Sequence, residues 1–167
     1  MQLIVIRHGD AGDSEAFAKT GKRDTERPLS KKGRKQMRAV AKGLRAIIRR
    51  VDVIAASSLV RAAQTARIVG RRYKKADQET VSALKPAALP EACEKWLLQQ
   101  QDAERVMVVG HEPHLGRLVT WLVSGTEGSM VEFRKGGAAL IEFDGLPGKG
   151  TGTLVWLMGP KELAALS

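Results

Sequence analysis

Hydrophobic and polar positions along this chain alternate between two rhythms. Short apolar runs occur at Leu3-Ile4-Val5-Ile6, at Val51–Ala56 and at Val106-Met107-Val108-Val109, with the length and β-branched content of buried strands. Between them lie stretches whose apolar residues recur every three or four positions, the mark of a helix with one buried face. Met37, Val40, Ala41, Leu44 and Ile48 form such a stripe and predict a helix from about Lys31 to Arg49, with Ser30 as its N-cap. Ala62, Ala63, Ala66, Ile68 and Val69 predict a second over Leu59–Tyr73. A third helix fits Glu91–Gln101, a fourth about His114–Val123, and a short terminal one Lys161–Leu166. Asp10–Pro28 reads as a polar loop, and Glu79–Leu89 as a short strand running into a loop. Ala138–Phe143 and Gly152–Met158 read as a late hairpin joined through a glycine-rich turn. Strands alternating with helices imply an α/β fold, one domain over residues 1–167, with a largely parallel central sheet and helices on both faces.

Candidate chemistry gathers at the carboxyl ends of the strands, where open α/β sheets place their ligands. The first strand runs into Arg7-His8-Gly9, and Gly9 lets the chain turn sharply. The strand at 51–56 runs into Ser57-Ser58-Leu59-Val60-Arg61, and the strand at 106–109 into Gly110-His111. Arg7, His8, Arg61 and His111 thus make a candidate phosphate site. Imidazole has a reference pKa of about 6.5 and is largely neutral at pH 7, so a ring nitrogen of His8 can attack phosphorus. Arg7 and Arg61 offer planar forks that match phosphoryl oxygens; Arg7 alternates with His8 and must bend in from the loop. Arg61 lies in the first turn of a helix, whose amino end itself favours an anion. His111 can donate a hydrogen bond as charge develops on a phosphoryl oxygen. Gly9 and Ser57 are further candidate contacts, although Ser57 could equally cap its turn. A metal reading would need His111, His114 and His8 together. Pro113 breaks the spacing between the first two, and Cys93 has no Cys neighbour. No metal and no cofactor is therefore expected, and His114 is read as a helix-start or rim residue.

Composition narrows the setting. Hydrophobic residues make up 43% of the 167, yet no run approaches the roughly 20 apolar residues of a membrane span. The chain enters its first strand at once, which leaves no room for a signal peptide. The single Cys93 excludes an internal disulfide and fits a reducing compartment, so the expected location is the cytoplasm; the oligomeric state is left open, with a monomer favoured. Net charge is +10, and residues 1–50 carry 14 Lys and Arg against 5 acids. The basic run over Lys31–Arg50 reads either as a solvated helix face or as a surface that steers acidic partners. Aromatic content of 4% argues against a base-stacking surface for nucleic acid.

Three motifs carry a resemblance. Arg7-His8-Gly9, Ser57-x-x-x-Arg61-Ala62-x-Gln64-Thr65 and Gly110-His111-Glu112-Pro113 resemble, in order and spacing, the nucleophile, arginine and second-histidine segments of the histidine phosphatase superfamily. Arg27-Pro28-Leu29-Ser30-x-x-Gly33 and His111-x-Pro113-x-Leu115-x-x-Leu118 are most similar to the small SixA-type phosphohistidine phosphatases. The resemblance implies a three-layer phosphoglycerate mutase-like fold. It implies a metal-independent phosphatase acting on a phosphohistidine-bearing protein through a phosphorylated histidine, with His8, Arg7, Arg61 and His111 catalytic. One departure bears on the substrate: Lys85 and Pro86 stand about where relatives that cleave phosphoesters carry a general acid. Imidazole leaving from a P–N bond protonates readily near neutral pH, whereas an alkoxide needs a positioned acid. The departure favours phosphoramidates. The alternatives are a small-molecule phosphomonoesterase using Glu79 or Asp10 as proton donor, and a non-catalytic phosphate- or polyanion-binding module.

Overall fold

In the computed structural model, which describes residues 1–167, six strands form one sheet in the order β3-β2-β4-β1-β5-β6. The strands are β1 (Gln2–Arg7), β2 (Val53–Ala56), β3 (Asp77–Thr80), β4 (Arg105–Gly110), β5 (Ala138–Phe143) and β6 (Gly152–Met158). β1, β4, β2 and β3 run parallel, with Ile6 opposite Val109 and Ala56 opposite Val109 on its other side. The hairpin β5–β6 adds antiparallel to β1. The fold is thus the expected α/β arrangement around a largely parallel sheet.

The two-residue period of the strands sorts the core into two layers. Leu3, Val5, Val106 and Val108 face one side, where they pack with Leu97 of α4 (Pro90–Leu98) and Leu118 of α5 (His114–Ser124). Ile4, Ile6, Met107 and Val109 face the other, against Leu44 of α2 (Lys31–Ile47), Ala66 of α3 (Val60–Gly70) and Leu163 of α6 (Pro160–Ala165). Cys93 of α4 lies in the first layer, wholly buried, and burial pushes its thiol pKa up to about 12.

The expected elements are present, several with ends shifted by one to three residues. The Ser30 hydroxyl accepts from the Gly33 amide and caps α2, but Ile48 is already extended, so the helix stops at Ile47. The segment Asp10–Pro28 is not a plain loop. It holds the short helix α1 (Ser14–Ala18), capped by the Asp13 carboxylate, and a 3-10 turn over Asp24–Glu26. Local side-chain caps in a glycine-bounded polar stretch produce both, and apolar periodicity is blind to them.

Candidate active site

The carboxyl ends of β1, β2 and β4 open into a cavity of about 620 Å³ lined by Arg7, His8, Arg61 and His111 together. All four predicted residues therefore meet. His8 follows the last residue of β1 and is 5% exposed. Its Nδ1 donates to the Gly9 carbonyl at 2.7 Å, which fixes the tautomer and turns Nε2 toward Arg61, whose Nε lies 3.3 Å away. Burial first, then the neighbouring arginines, lower the His8 pKa to about 4, against a smaller opposing effect of the Gly9 carbonyl. His8 is a neutral imidazole at pH 7. The His111 ring stands 5.0 Å from it, centroid to centroid, and its pKa is lowered to about 3, chiefly by burial and next by His8. Neither His111 nitrogen has a protein partner. His111 therefore has a ring N–H to offer a ligand.

The arginines are held from behind. Arg61 enters from the first turn of α3, as expected, and its guanidinium meets the Asp24 carboxylate at 3.0 Å and the Asp24 carbonyl at 2.9 Å. Asp24 also accepts from Arg27 at 2.8 Å; burial works to raise its pKa, but the two arginines outweigh that and hold it below the usual range. Arg7 donates through Nη1 to the Phe133 carbonyl, and its Nε is buried without a protein partner. The Phe133 amide in turn donates to the Glu112 carboxylate at 3.2 Å. Burial raises the Glu112 pKa, opposed by the Phe133 amide and by Arg7. Gln64 and Thr65, conspicuous in the sequence motif, are braces: Gln64 accepts from the Leu29 amide at 2.8 Å, and the Thr65 hydroxyl accepts from Gly9 at 3.2 Å.

Three expectations need correction, on Ser57, on Gly9 and on the proton donors. Ser57 is wholly buried and accepts from the Leu59 amide at 3.3 Å, so it caps its turn behind the wall, and Ser58 lines the cavity in its place. Gly9 also lies behind that wall, where a Cβ would meet Met37. His114 begins α5, the first of its two expected places, and is 0% exposed, because α5 turns nearly all its residues inward. Neither carboxylate named as a proton donor lines the cavity. Glu79 is exposed on the edge strand β3, and Asp10 is bound to Ser30 at 2.7 Å and to Lys135 at 3.4 Å. Their place on the wall is taken by Asp24 and Glu112, with the cations Arg27, Lys85 and Lys135. Asp24 arrives from the 3-10 turn and Arg27 and Lys135 from loops, with no strand-end position to mark them. Glu112 was legible only as the neighbour of His111. Lys85 lines the wall, a cation where the resemblance predicts no general acid.

The sequence model of the histidine phosphatase superfamily (branch 1) matches residues 3–91. The phosphohistidine phosphatase SixA of Escherichia coli strain K12 is 29% identical over 166 residues, covering 98% of this chain and 96% of its own length. An uncharacterised protein of Picosynechococcus sp. (strain PCC 7002) is 30% identical over 139 residues, 82% of each chain. The solved structure of the protein histidine phosphatase SixA complexed with tungstate superposes with a TM-score of 0.83 at 28% identity, over 98% of this chain and 99% of that one. The α-ribazole phosphatase from Shigella flexneri shares the fold at 17% identity, with a TM-score of 0.73 over 96% and 97% of the two chains. By the family match across more than half its length, and by two histidines and two arginines meeting at the strand ends, this chain belongs to the histidine phosphatase superfamily.

Proposed function

We propose that this chain hydrolyses phosphohistidine on a protein substrate, without a metal ion, in the cytoplasm, through a phosphohistidine formed on its own His8. The observation that carries the reading is a neutral His8 whose Nδ1 is tied to a backbone carbonyl while Nε2 faces the cavity between two arginines. Likeness to SixA over nearly the whole length of both chains supports the substrate class. Arg7, Arg61 and an N–H of His111 take the phosphoryl oxygens. Nε2 attacks phosphorus in line, a P–N bond forms to His8, and the bond to the substrate imidazole breaks, its nitrogen taking a proton from water. Water then attacks the phosphorus on His8, releasing orthophosphate and the free imidazole. Cationic donors supply the charge stabilisation that phosphoryl transfer needs, which is why no metal enters.

Brief incubation with labelled phosphoramidate tests this. Acid-labile, base-stable label on the native chain and neither label nor turnover on His8→Ala is the expected result. Full turnover by His8→Ala overturns it. A second reading, as a phosphomonoesterase, is favoured by one observation: Glu112 is a cavity-wall carboxyl that burial inclines toward its protonated form. Comparing turnover of phosphoramidate with alkyl phosphates separates the two, since only a working acid makes alkoxide departure fast.

A further inference from the structure

Positive charge is concentrated in one segment: residues 31–75 hold 15 Lys and Arg against the single acid Asp52, while the rest of the chain holds 13 against 17. The basic residues at the start of α2 (Lys31, Lys32 and Lys35) lie toward the catalytic end of the sheet, where Ser30 bonds Asp10. A different group lies at the opposite end. Arg45, Arg49, Arg50, Arg72, Lys74 and Lys75, from the ends of α2 and α3, surround a concavity of about 160 Å³. All six are exposed, and only Arg50 has an acidic partner, Asp52 at 2.9 Å. Tyr73 builds the floor: it is 5% exposed, its hydroxyl donates to the Ile48 carbonyl at 3.0 Å, and Arg45 lies over its ring. That bond ties the two helix ends together and makes their cations converge. Arg61 stands in the first turn of α3 and Arg72 just past its end, so about 14 Å of helix separates this cluster from the catalytic arginine.

We propose that this cluster is a second anion site, remote from the catalytic cavity, that binds a linear chain of phosphates, free or as the tail of a nucleotide. Guanidinium forks pair two-pronged with phosphoryl oxygens, and five cations without acidic partners around a small hollow suit a compact, multiply charged ligand. Other polyanions fit less well. The two apolar side chains of the hollow, Val51 and Tyr73, are 3% and 5% exposed, so an acidic protein would find no apolar anchor of the kind interface cores use. No exposed aromatic is there to stack a base, and a duplex spreads its phosphates along a groove rather than into a pocket.

Calorimetric titration with sodium tripolyphosphate and with ATP, at low and at 0.3 M salt, tests the proposal on the native chain and on Arg49→Glu/Arg72→Glu. Expected are tripolyphosphate binding weakened at least tenfold by the double variant, a steep loss with salt, and phosphoramidate turnover unchanged. Matching affinities for the two probes identify the phosphate chain alone as the ligand; tighter ATP binding identifies a nucleotide tail. Equal tripolyphosphate affinity in the native and variant chains overturns the proposal, because binding would then reside elsewhere. Tighter capture of a DNA duplex or of polyglutamate, also lost in the variant, overturns the assignment to a phosphate chain.

Discussion

Glu112 and Arg7 meet across a single peptide group: the carboxylate takes the Phe133 amide, and the Phe133 carbonyl takes the guanidinium. In the proposed mechanism Glu112 therefore acts through Arg7, as a positioning residue. A hydrogen bond to a charged group contributes about 1.5–3 kcal/mol. Glu112→Ala should thus raise KM for phosphoramidate about tenfold or more, whereas Glu112→Gln, whose amide oxygen still accepts from Phe133, should stay within a few-fold. Equal losses in both would show that the negative charge itself matters. For His8, a pKa near 4 keeps the proposed nucleophile neutral well below the ordinary histidine value. The acid limb of kcat/KM should then fall below pH 5, and a limb near 6.5 would contradict the environment described. Single residues were readable from sequence in proportion to their tie to a strand end. Arg7, His8, Arg61 and His111 each sit within a few positions of one. Asp24 reaches Arg61 across 37 positions, a contact that no local pattern encodes.

At the scale of elements, strands and long helices were legible because burial on one or both faces leaves a period. The turn at Asp24–Glu26 and the helix α1 bury nothing and left none. Two glycines in α2 show how element contacts divide between stability and activity. A Cβ at Gly43 would overlap the Leu163 carbonyl, and one at Gly33 would overlap the Asp10 carbonyl. Overpacking of this kind costs about 1–3 kcal/mol or more, and each kcal/mol lowers Tm by about 2–4 °C in a chain of this size. Gly43→Ala should accordingly loosen α6 and depress Tm in a thermal melt while turnover persists. Gly33→Ala should lose both, because Asp10 lies two residues past His8 in the same loop. Full activity in Gly33→Ala would separate α2 from the geometry of the site.

Over the whole molecule, three buried histidines share one direction of shift. His8 and His114 are lowered to about 4 and His111 to about 3, in each case first by burial. Above the unfolded value of about 6.5, folded and unfolded chains are alike neutral at these positions. As pH falls from there toward 4, the unfolded chain takes up protons that the folded chain resists, and stability drains. Urea midpoints should fall steadily between pH 6.5 and pH 4. His114→Asn, away from the cavity wall, should flatten part of that slope. Charge adds a second molecular property. With Lys31, Lys32 and Lys35 near the catalytic end and Lys85 and Lys135 on the cavity wall, turnover of an acidic phosphoprotein should decline with salt more steeply than turnover of phosphoramidate. Parallel declines would remove the steering. The wholly buried Cys93 has a consequence of another kind. The thiolate is the form that peroxide attacks, and a thiol whose pKa is near 12 in a closed core supplies almost none. With an imidazole as the proposed attacking group, turnover should survive a peroxide treatment that silences phosphatases dependent on a reactive sulfur.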